Sequence, residues 1–210
     1  MILGPTGLVG KHLLHLLLND PLYEEVRTYH RRSTGIDHPK LNEVIGDAEQ
    51  MTDHPSAFQV EDIYVCVGTT KAKTPDRSEY EKIDLGIPLN AALLGKERKA
   101  ERILVVSAMG ADPKSSIFYN RLKGEMESQV YAVGIPETYF FRPSLIMGDR
   151  DESRMGEGLA KVLFKWMDPI IPKKYKGVKA SEIAEAMRQV AHNGNKEKVI
   201  ENDQILSLTR

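Results

Sequence analysis

Two hydrophobic rhythms take turns along the chain. Short apolar runs of strand length, rich in β-branched and aromatic residues, occur at Glu25 to His30 (with Val26 and Tyr29), Leu41 to Ile45, Ile63 to Val67, Arg102 to Ser107 and Thr138 to Phe141. Between them, apolar positions recur at helical spacing. The first such stretch runs from residue 8 through Leu13, Leu14, Leu16, Leu17 and Leu18. The second runs from Glu79 to Gly95 with Pro88 as a kink, and the third from Ile117 to Val133, closed by Gly134 ahead of Pro136. Met1-Ile2-Leu3 supplies only the end of a first strand, fewer than the ~5–6 residues usual for strands, so the chain is expected either to begin late in it or to lack a few leading residues. The order strand, helix, strand, strand, helix, strand, helix, strand predicts an α/β fold with a doubly wound, mostly parallel sheet.

Beyond Gly148 the rhythm changes. A charged loop from Asp149 to Glu157 precedes an amphipathic helix from Gly158 to Met167, a Pro- and Lys-rich loop, a helix from Ser181 to His192 and a short strand around Lys198 to Glu201. This predicts a substrate flap with its body at 149–179, on a single domain covering 1–210.

The turn after the first strand carries the first chemistry. Gly4-Pro5-Thr6-Gly7-Leu8-Val9-Gly10 places three glycines between a buried strand and a helix. Gly4 lets the chain leave the strand tightly, Gly7 lets a pyrophosphate approach the backbone, and Gly10 lets the helix pack closely. The helix N-terminus then faces the phosphates with its free N–H groups and positive dipole end. The expected ligand is a dinucleotide on a Rossmann-type sheet. In that fold a carboxylate about 20 residues beyond the glycines holds the ribose 2′-hydroxyl of NAD, whereas arginine there accommodates the 2′-phosphate of NADP. Here the second strand ends in Arg31-Arg32-Ser33, with no acid from Val26 to Ile36. NADP(H) is therefore expected in preference to NAD(H), against the alternative of a solvated turn. Asp47, after the third strand, either meets the adenine edge or caps the helix behind it. Gly68-Thr69-Thr70 ends the fourth strand beside the cofactor crevice.

Composition narrows the partners. Lysine plus arginine (29) and aspartate plus glutamate (30) nearly cancel over 210 residues, so no global field favours nucleic acid or an anionic membrane, and an anion site must be charged locally. Residues 12–18 are too few to span a membrane. The single cysteine, Cys66, excludes an intramolecular disulfide and reads as a core residue. Together with the lack of room for a signal peptide ahead of residue 4, it suggests the cytoplasm. His12 and His15 share a helix face without companion ligands, so no metal is expected.

The reacting groups are expected at the second half of the sheet. Tyr119 and Lys123, four apart, share one face of a helix, and Ser107 ends the strand before it. A lysine beside a tyrosine favours the phenolate and lowers the tyrosine pKa from about 10, making Tyr119 a proton donor to a small carbonyl substrate whose oxygen a serine hydroxyl can hold. Tyr175 and Lys179 have the same spacing but follow no strand-end hydroxyl.

These motifs together resemble an atypical member of the short-chain dehydrogenase/reductase superfamily. Ser107-Ala108-Met109-Gly110-Ala111-Asp112, Ser115-Ser116, Tyr119-x-x-x-Lys123-Gly124-Glu125 and Phe141-Arg142-Pro143, with Gly68-Thr69-Thr70 and Asp149-Arg150-x-Glu152-Ser153-Arg154, are similar to the Tat-interacting-protein-like oxidoreductases and their bacterial relatives. The resemblance implies NADP(H) on a Rossmann fold and Tyr119 with Lys123 as the catalytic pair. It also implies Lys123 on the nicotinamide ribose, and the backbone after Arg142-Pro143 bordering the nicotinamide. Ala108 stands where the family often has a second hydroxyl, which leaves the catalytic serine open. The family also contains regulatory binders, so a dinucleotide sensor with a protein partner is the alternative to a reductase. A nucleotide-sugar epimerase is a third reading, disfavoured by the short segment after Gly148.

Overall fold

In a computed structural model that describes residues 1–147 and 172–209, seven parallel strands form one sheet. The strands are β1 (Ile2–Leu3), β2 (Val26–His30), β3 (Leu41–Ile45), β4 (Asp62–Val65), β5 (Arg102–Val106), β6 (Glu137–Arg142) and β9 (Val199–Glu201), in the spatial order 3-2-1-4-5-6-9. A small parallel pair, β7 (Ile146–Met147) with β8 (Val178–Lys179), lies outside that sheet. Helices α1 (Leu8–Asn19), α5 (Ala180–Asn193) and α6 (Asn202–Leu208) contribute to the core on one face. Helices α3 (Ile87–Glu97) and α4 (Phe118–Val133) contribute to the core on the other. This is the expected doubly wound Rossmann-type architecture.

The period-2 pattern sorts each central strand between two cores. Ile2, Tyr64, Leu104, Tyr139 and Phe141 face Leu13, Leu14 and Leu17 of α1 with Ile183, Ala184 and Met187 of α5. Leu3, Ile63, Val65, Ile103, Val105 and Phe140 face Ala91, Ala92 and Leu94 of α3 with Met126 and Val130 of α4. The continuous apolar reading of the central strands follows from this two-sided burial.

The helical run predicted from Glu79 to Gly95 is divided. It starts as α2 (Arg77–Glu81), capped by the Asp76 carboxylate accepting from Glu79 N–H at 2.9 Å, widens to a π-helical turn over Lys82–Gly86, and resumes as α3. Pro88 explains the break, since it offers no N–H to the carbonyl of Asp84 and its ring crowds that carbonyl. The wider turn, closed by Ile87 N–H to Lys82 O, accommodates both effects.

The C-terminal residues correct the flap reading in part. The predicted helix 158–167 and most of 149–179 lie outside the described residues. The segment from Val178 onward is built into the fold: Val178 is fully buried in β8, α5 packs along α1, and β9 extends the main sheet beside β6 with Phe141 opposite Ile200. Three residues, Val199–Glu201, suffice for an edge strand once a helix covers them.

Ile200 is fully buried, so Ile200→Ala is expected to lower the unfolding free energy by about 2–5 kcal/mol, read as a lower urea midpoint at unchanged slope. An unchanged midpoint would make β9 an appendage.

Candidate active site

The strand order reverses direction at β1, which lies between β2 and β4. In open α/β sheets the ligand crevice forms at the carboxyl ends of the strands on either side of such a point. The glycine turn sits there. Gly4 adopts φ +78°, and a Cβ on it would lie 2.9 Å from the Cys66 carbonyl oxygen. A Cβ on Gly10 would lie 2.0 Å from Gly4 O, so this glycine lets the first turn of α1 close onto the turn itself. Gly7 is different: a Cβ there would meet only Gly4 O at 3.3 Å and Cys66 O at 3.6 Å. Gly7 is also the N-cap of α1 and supplies no side-chain cap, and the first turn carries no acid. The helix therefore starts with N–H groups and a positive dipole end that no side chain of its own satisfies, a fit for pyrophosphate oxygens. Thr6 and Leu8 are exposed on this turn, while Val9 is buried beneath it. Burial pushes the neighbouring Cys66 thiol up to about 12, which makes it no nucleophile.

Arg31 and Arg32, just past β2, are exposed and enter no hydrogen bond or ion pair among the described residues. The backbone behind them is held firmly. Glu43 of β3 accepts from Ser33 Oγ at 2.6 Å and Thr34 N–H at 2.7 Å, and its carboxylate lies 3.2 Å from His30 Nε2. Burial works against the Glu43 carboxylate, but these hydrogen bonds and the His30 charge outweigh it and hold the group down to about 2. Two free guanidinium groups on a braced turn suit a phosphate. Asp47 lies at the third strand's end with its N–H donated to Gln50 Oε1 at 3.0 Å and its carbonyl accepting from Tyr29 OH at 2.8 Å. It serves as the start of the helical turn Ala48–Asp53.

Gly68-Thr69-Thr70 follows β4, and here the structure adds a residue that motif and spacing do not single out. Asp84, on the π-helical turn and 1% exposed, accepts from Thr69 N–H at 2.9 Å and from Lys123 Nζ at 2.8 Å. Lys123 is itself 3% exposed. Gly124 permits this depth, because a Cβ on it would lie 2.2 Å from Pro113 N in the loop pressed against α4. Tyr119, one turn before Lys123, keeps 38% of its surface exposed and packs edge-on to Tyr80 at 6.5 Å between ring centroids. Its hydroxyl is pushed well above the usual tyrosine range by desolvation first, then by the Asp84 charge and Tyr80. The shift runs opposite to the expectation that Lys123 lowers the Tyr119 pKa, with desolvation as its largest cause.

Ser107 also departs from its expected role. Its hydroxyl, 4% exposed, donates to Glu127 Oε1 at 2.5 Å rather than standing free for a substrate oxygen. Glu127 in turn receives Arg142 Nη2 at 2.6 Å and Nε at 3.0 Å, and Arg142 Nη1 reaches Glu201 at 3.2 Å. The Arg142 side chain therefore braces α4, β6 and β9, while Pro143 O accepts from Met109 N–H at 3.0 Å. Asn202, fully buried, receives Ser144 N–H at 2.9 Å and donates to Lys176 O at 2.8 Å, tying the segment after β6 to the one before β8. Asp84 and Glu127 carried a detectable signal: each is an acid on the buried stripe of its helix, Asp84 four after Tyr80 and Glu127 four after Lys123.

Comparison with known proteins identifies the fold's lineage. Residues 1–129 match the model of the NAD dependent epimerase/dehydratase family. The chain belongs to that family. This epimerase/dehydratase-family chain is 34% identical over 167 residues to the protein HTATIP2 of Rattus norvegicus, covering 78% of the chain and 69% of the relative. It is 31% identical over 180 residues to the mitochondrial protein FMP52 of Candida albicans, covering 79% and 75%. Those relatives bear out the Tat-interacting-protein-like resemblance within the short-chain dehydrogenase/reductase superfamily. Among solved structures, MoeE5 in complex with UDP-glucuronic acid and NAD superposes with a TM-score of 0.70 at 14% identity, over 99% of this chain and 80% of that one. An oxidoreductase of the short-chain dehydrogenase/reductase family from Burkholderia thailandensis gives 0.67 at 15% identity, over 91% and 84%. At such identities the likeness is one of fold. The FMP52 relatives, from several fungi, are named mitochondrial, which overturns the cytoplasmic expectation for this epimerase/dehydratase-family chain. A lone cysteine, on which that expectation leans, does not distinguish one reducing compartment from another. Among the described residues no helix is long and apolar enough to cross a membrane.

Because Glu43 titrates lower folded than at its ordinary 4.5, its stabilising effect is present above about pH 4.5 and is lost as pH falls towards about 2. Glu43→Gln is expected to lower the urea midpoint at pH 7 and to remove part of the acid-induced loss of stability. Parallel acid titrations of both proteins would count against this role for Glu43.

Proposed function

We propose that this protein is an NADP(H)-dependent reductase of a small carbonyl substrate, with Tyr119 as proton donor and Lys123 as the partner that holds the cofactor's nicotinamide ribose. The observation that carries this reading is the pairing of an accessible tyrosine with a lysine one helical turn on, the lysine anchored at 2.8 Å to Asp84 beside the end of β4. The family's nicotinamide dependence and the uncapped glycine turn support the cofactor class. Gly4, Thr6, Gly7, Leu8, Val9 and Gly10 would border the pyrophosphate, Arg31 and Arg32 the 2′-phosphate, Asp47 the adenine side, and Gly68, Thr69, Thr70 and the Arg142-Pro143 backbone the nicotinamide side. Residues 149–179 would supply the substrate pocket on a single-domain chain.

When bound, the reduced nicotinamide supplies a hydride to the carbonyl carbon. The chain's own work is acid chemistry. The Tyr119 hydroxyl gives its proton to the carbonyl oxygen as negative charge develops there, so C=O becomes CH–OH and the tyrosinate regains a proton from water. An alkoxide is a far stronger base than a tyrosinate, so this transfer runs downhill even from a tyrosine whose pKa lies above its usual value. Ser107 acts through Glu127 and Arg142 as a brace for the strand end, not on the substrate.

Two experiments test the reading. NADPH is expected to bind more tightly than NADH, and the double variant Arg31→Ala/Arg32→Ala to lose about 1.5–3 kcal/mol of NADPH affinity while leaving NADH nearly unchanged. Equal affinities of the native protein for both cofactors would refute the NADP assignment. In NADPH oxidation against aldehydes, ketones and quinones, Tyr119→Phe should cut turnover by roughly 10²- to 10⁴-fold with cofactor affinity retained. Undiminished activity in that variant would remove Tyr119 from the mechanism.

A further inference from the structure

His30, the last residue of β2, has an imidazole that the protein satisfies on one edge only. Its Nε2 lies 3.2 Å from Glu43 Oε1 and 3.0 Å from Thr28 Oγ1, whereas Nδ1 is buried and has no hydrogen-bond partner. We propose that His30 is a third ligand of the cofactor's 2′-phosphate beside Arg31 and Arg32, donating from Nδ1, and that it takes up a proton as NADP(H) binds; the proposal rests on the NADP(H) reading.

The position of the ring follows from the strand. Val26, Thr28 and His30 alternate with Arg27 and Tyr29 and so share one face of β2, and Val26 belongs to the core that α1 covers. The imidazole is thus at the carboxyl end of β2, on the side of the sheet where the glycine turn enters α1 and where the adenosine half of a dinucleotide passes. It is 9% exposed, and its backbone is pinned by Gly46 N–H donating to His30 O at 3.0 Å. Arg31 and Arg32, next in the chain, are exposed and unpaired among the described residues, so a docked phosphate can draw both towards itself and meet the ring beneath them.

The chemistry of the ring selects the ligand. An ionised carboxylate only accepts, so the Nε2 edge facing Glu43 carries a proton. A neutral ring then presents a bare lone pair at Nδ1, and a doubly protonated ring presents an N–H there. Buried polar atoms ordinarily have partners, so this nitrogen is open to a ligand group. The two cofactors offer it opposite groups. The 2′-phosphate, a dianion above its second pKa of about 6, only accepts and therefore needs the cationic ring. A ribose 2′-hydroxyl can donate to the neutral one.

The charges around the ring explain why the proton would arrive with the ligand. Glu43 on β3 is the acid within ion-pair distance of His30 among the described residues, and it favours the cation. Arg31 and Arg32 oppose it. From α1 the buried face is apolar, with Val9, Leu13, Leu14 and Leu17, and the first turn carries no acid. A phosphate between the arginines offsets their charge and tips the balance towards the imidazolium.

The test is calorimetric titration of the full chain at about pH 7.5, where phosphate monoesters are already dianionic, with adenosine 2′,5′-bisphosphate and with 5′-AMP. Each is run in two buffers of different ionisation enthalpy, so that the buffer dependence of the heat counts protons. A fraction of a proton is expected to be taken up per bisphosphate bound, and none with 5′-AMP. His30→Gln and His30→Asn, two variants in case one fails to fold, should abolish the uptake. Native affinity for the bisphosphate should fall as the pH is raised from about 7 to about 9, by at most about tenfold per pH unit for one linked proton, with the variants staying nearly level. No uptake in the native chain, or equal uptake in a folded variant, would overturn the proposal. Bisphosphate binding more tightly than 5′-AMP without proton uptake would leave the NADP(H) reading standing and remove His30 from it, whereas equal affinities without uptake would remove both.

Discussion

Helix α4 buries two opposite charges one turn apart, and they do not pair with each other. Lys123 reaches Asp84 on one side, and Glu127 reaches Ser107 and Arg142 on the other. The two ions are 3% and 7% exposed, and removing one partner of such a pair typically costs about 3–5 kcal/mol. The helix is therefore fixed in rotation and in depth by two demands that only one placement meets. The ends of β4, β5 and β6 are held to it through Thr69, Ser107 and Arg142, so charge pairing adds to apolar packing in fixing this end of the sheet.

The sheet and its helices could be read from the sequence because burial writes itself as periodicity. Five-residue β-branched runs and leucines at helical spacing have no other economical arrangement in a chain of this length. The glycine turn was legible for the same reason, since close approach excludes a Cβ and Gly4 and Gly10 meet backbone oxygen at short range. Strand β9 was less so, because Val199–Glu201 has only three residues, and whether such a segment is edge strand or appendage depends on β6 and α6 packing around it. Pairings lie beyond periodicity altogether. The Tyr119-to-Lys123 spacing points to a shared face, but it holds nothing about Asp84, 39 positions earlier, which redirects the lysine. An acid on an apolar stripe is the trace such a pairing leaves, and both Asp84 and Glu127 leave it.

Charge is distributed along the crevice unevenly. The chain as a whole is close to neutral, at a formal −1, and at the ends of β4 to β6 Lys123 and Arg142 are both paired: Lys123 with Asp84, and Arg142 with Glu127 and Glu201. At the far end, past β2, Arg31 and Arg32 stand without partners among the described residues while Glu43, the nearest acid on the next strand, is engaged by Ser33, Thr34 and His30. Two exposed guanidinium groups are thus open to an anion at the adenosine end of the proposed cofactor site.

That asymmetry has a catalytic logic. Binding energy gathered from a phosphate far from the reacting atoms can offset the cost of orienting the cofactor. In the proposed reading Arg31 and Arg32 would hold the phosphate, while Lys123, paired with Asp84 at 2.8 Å, is fixed in direction at the other end of the crevice. A buried ion pair is a costly way to hold a side chain, and here it fixes Lys123 and, through Asp84, the Thr69 backbone at the end of β4.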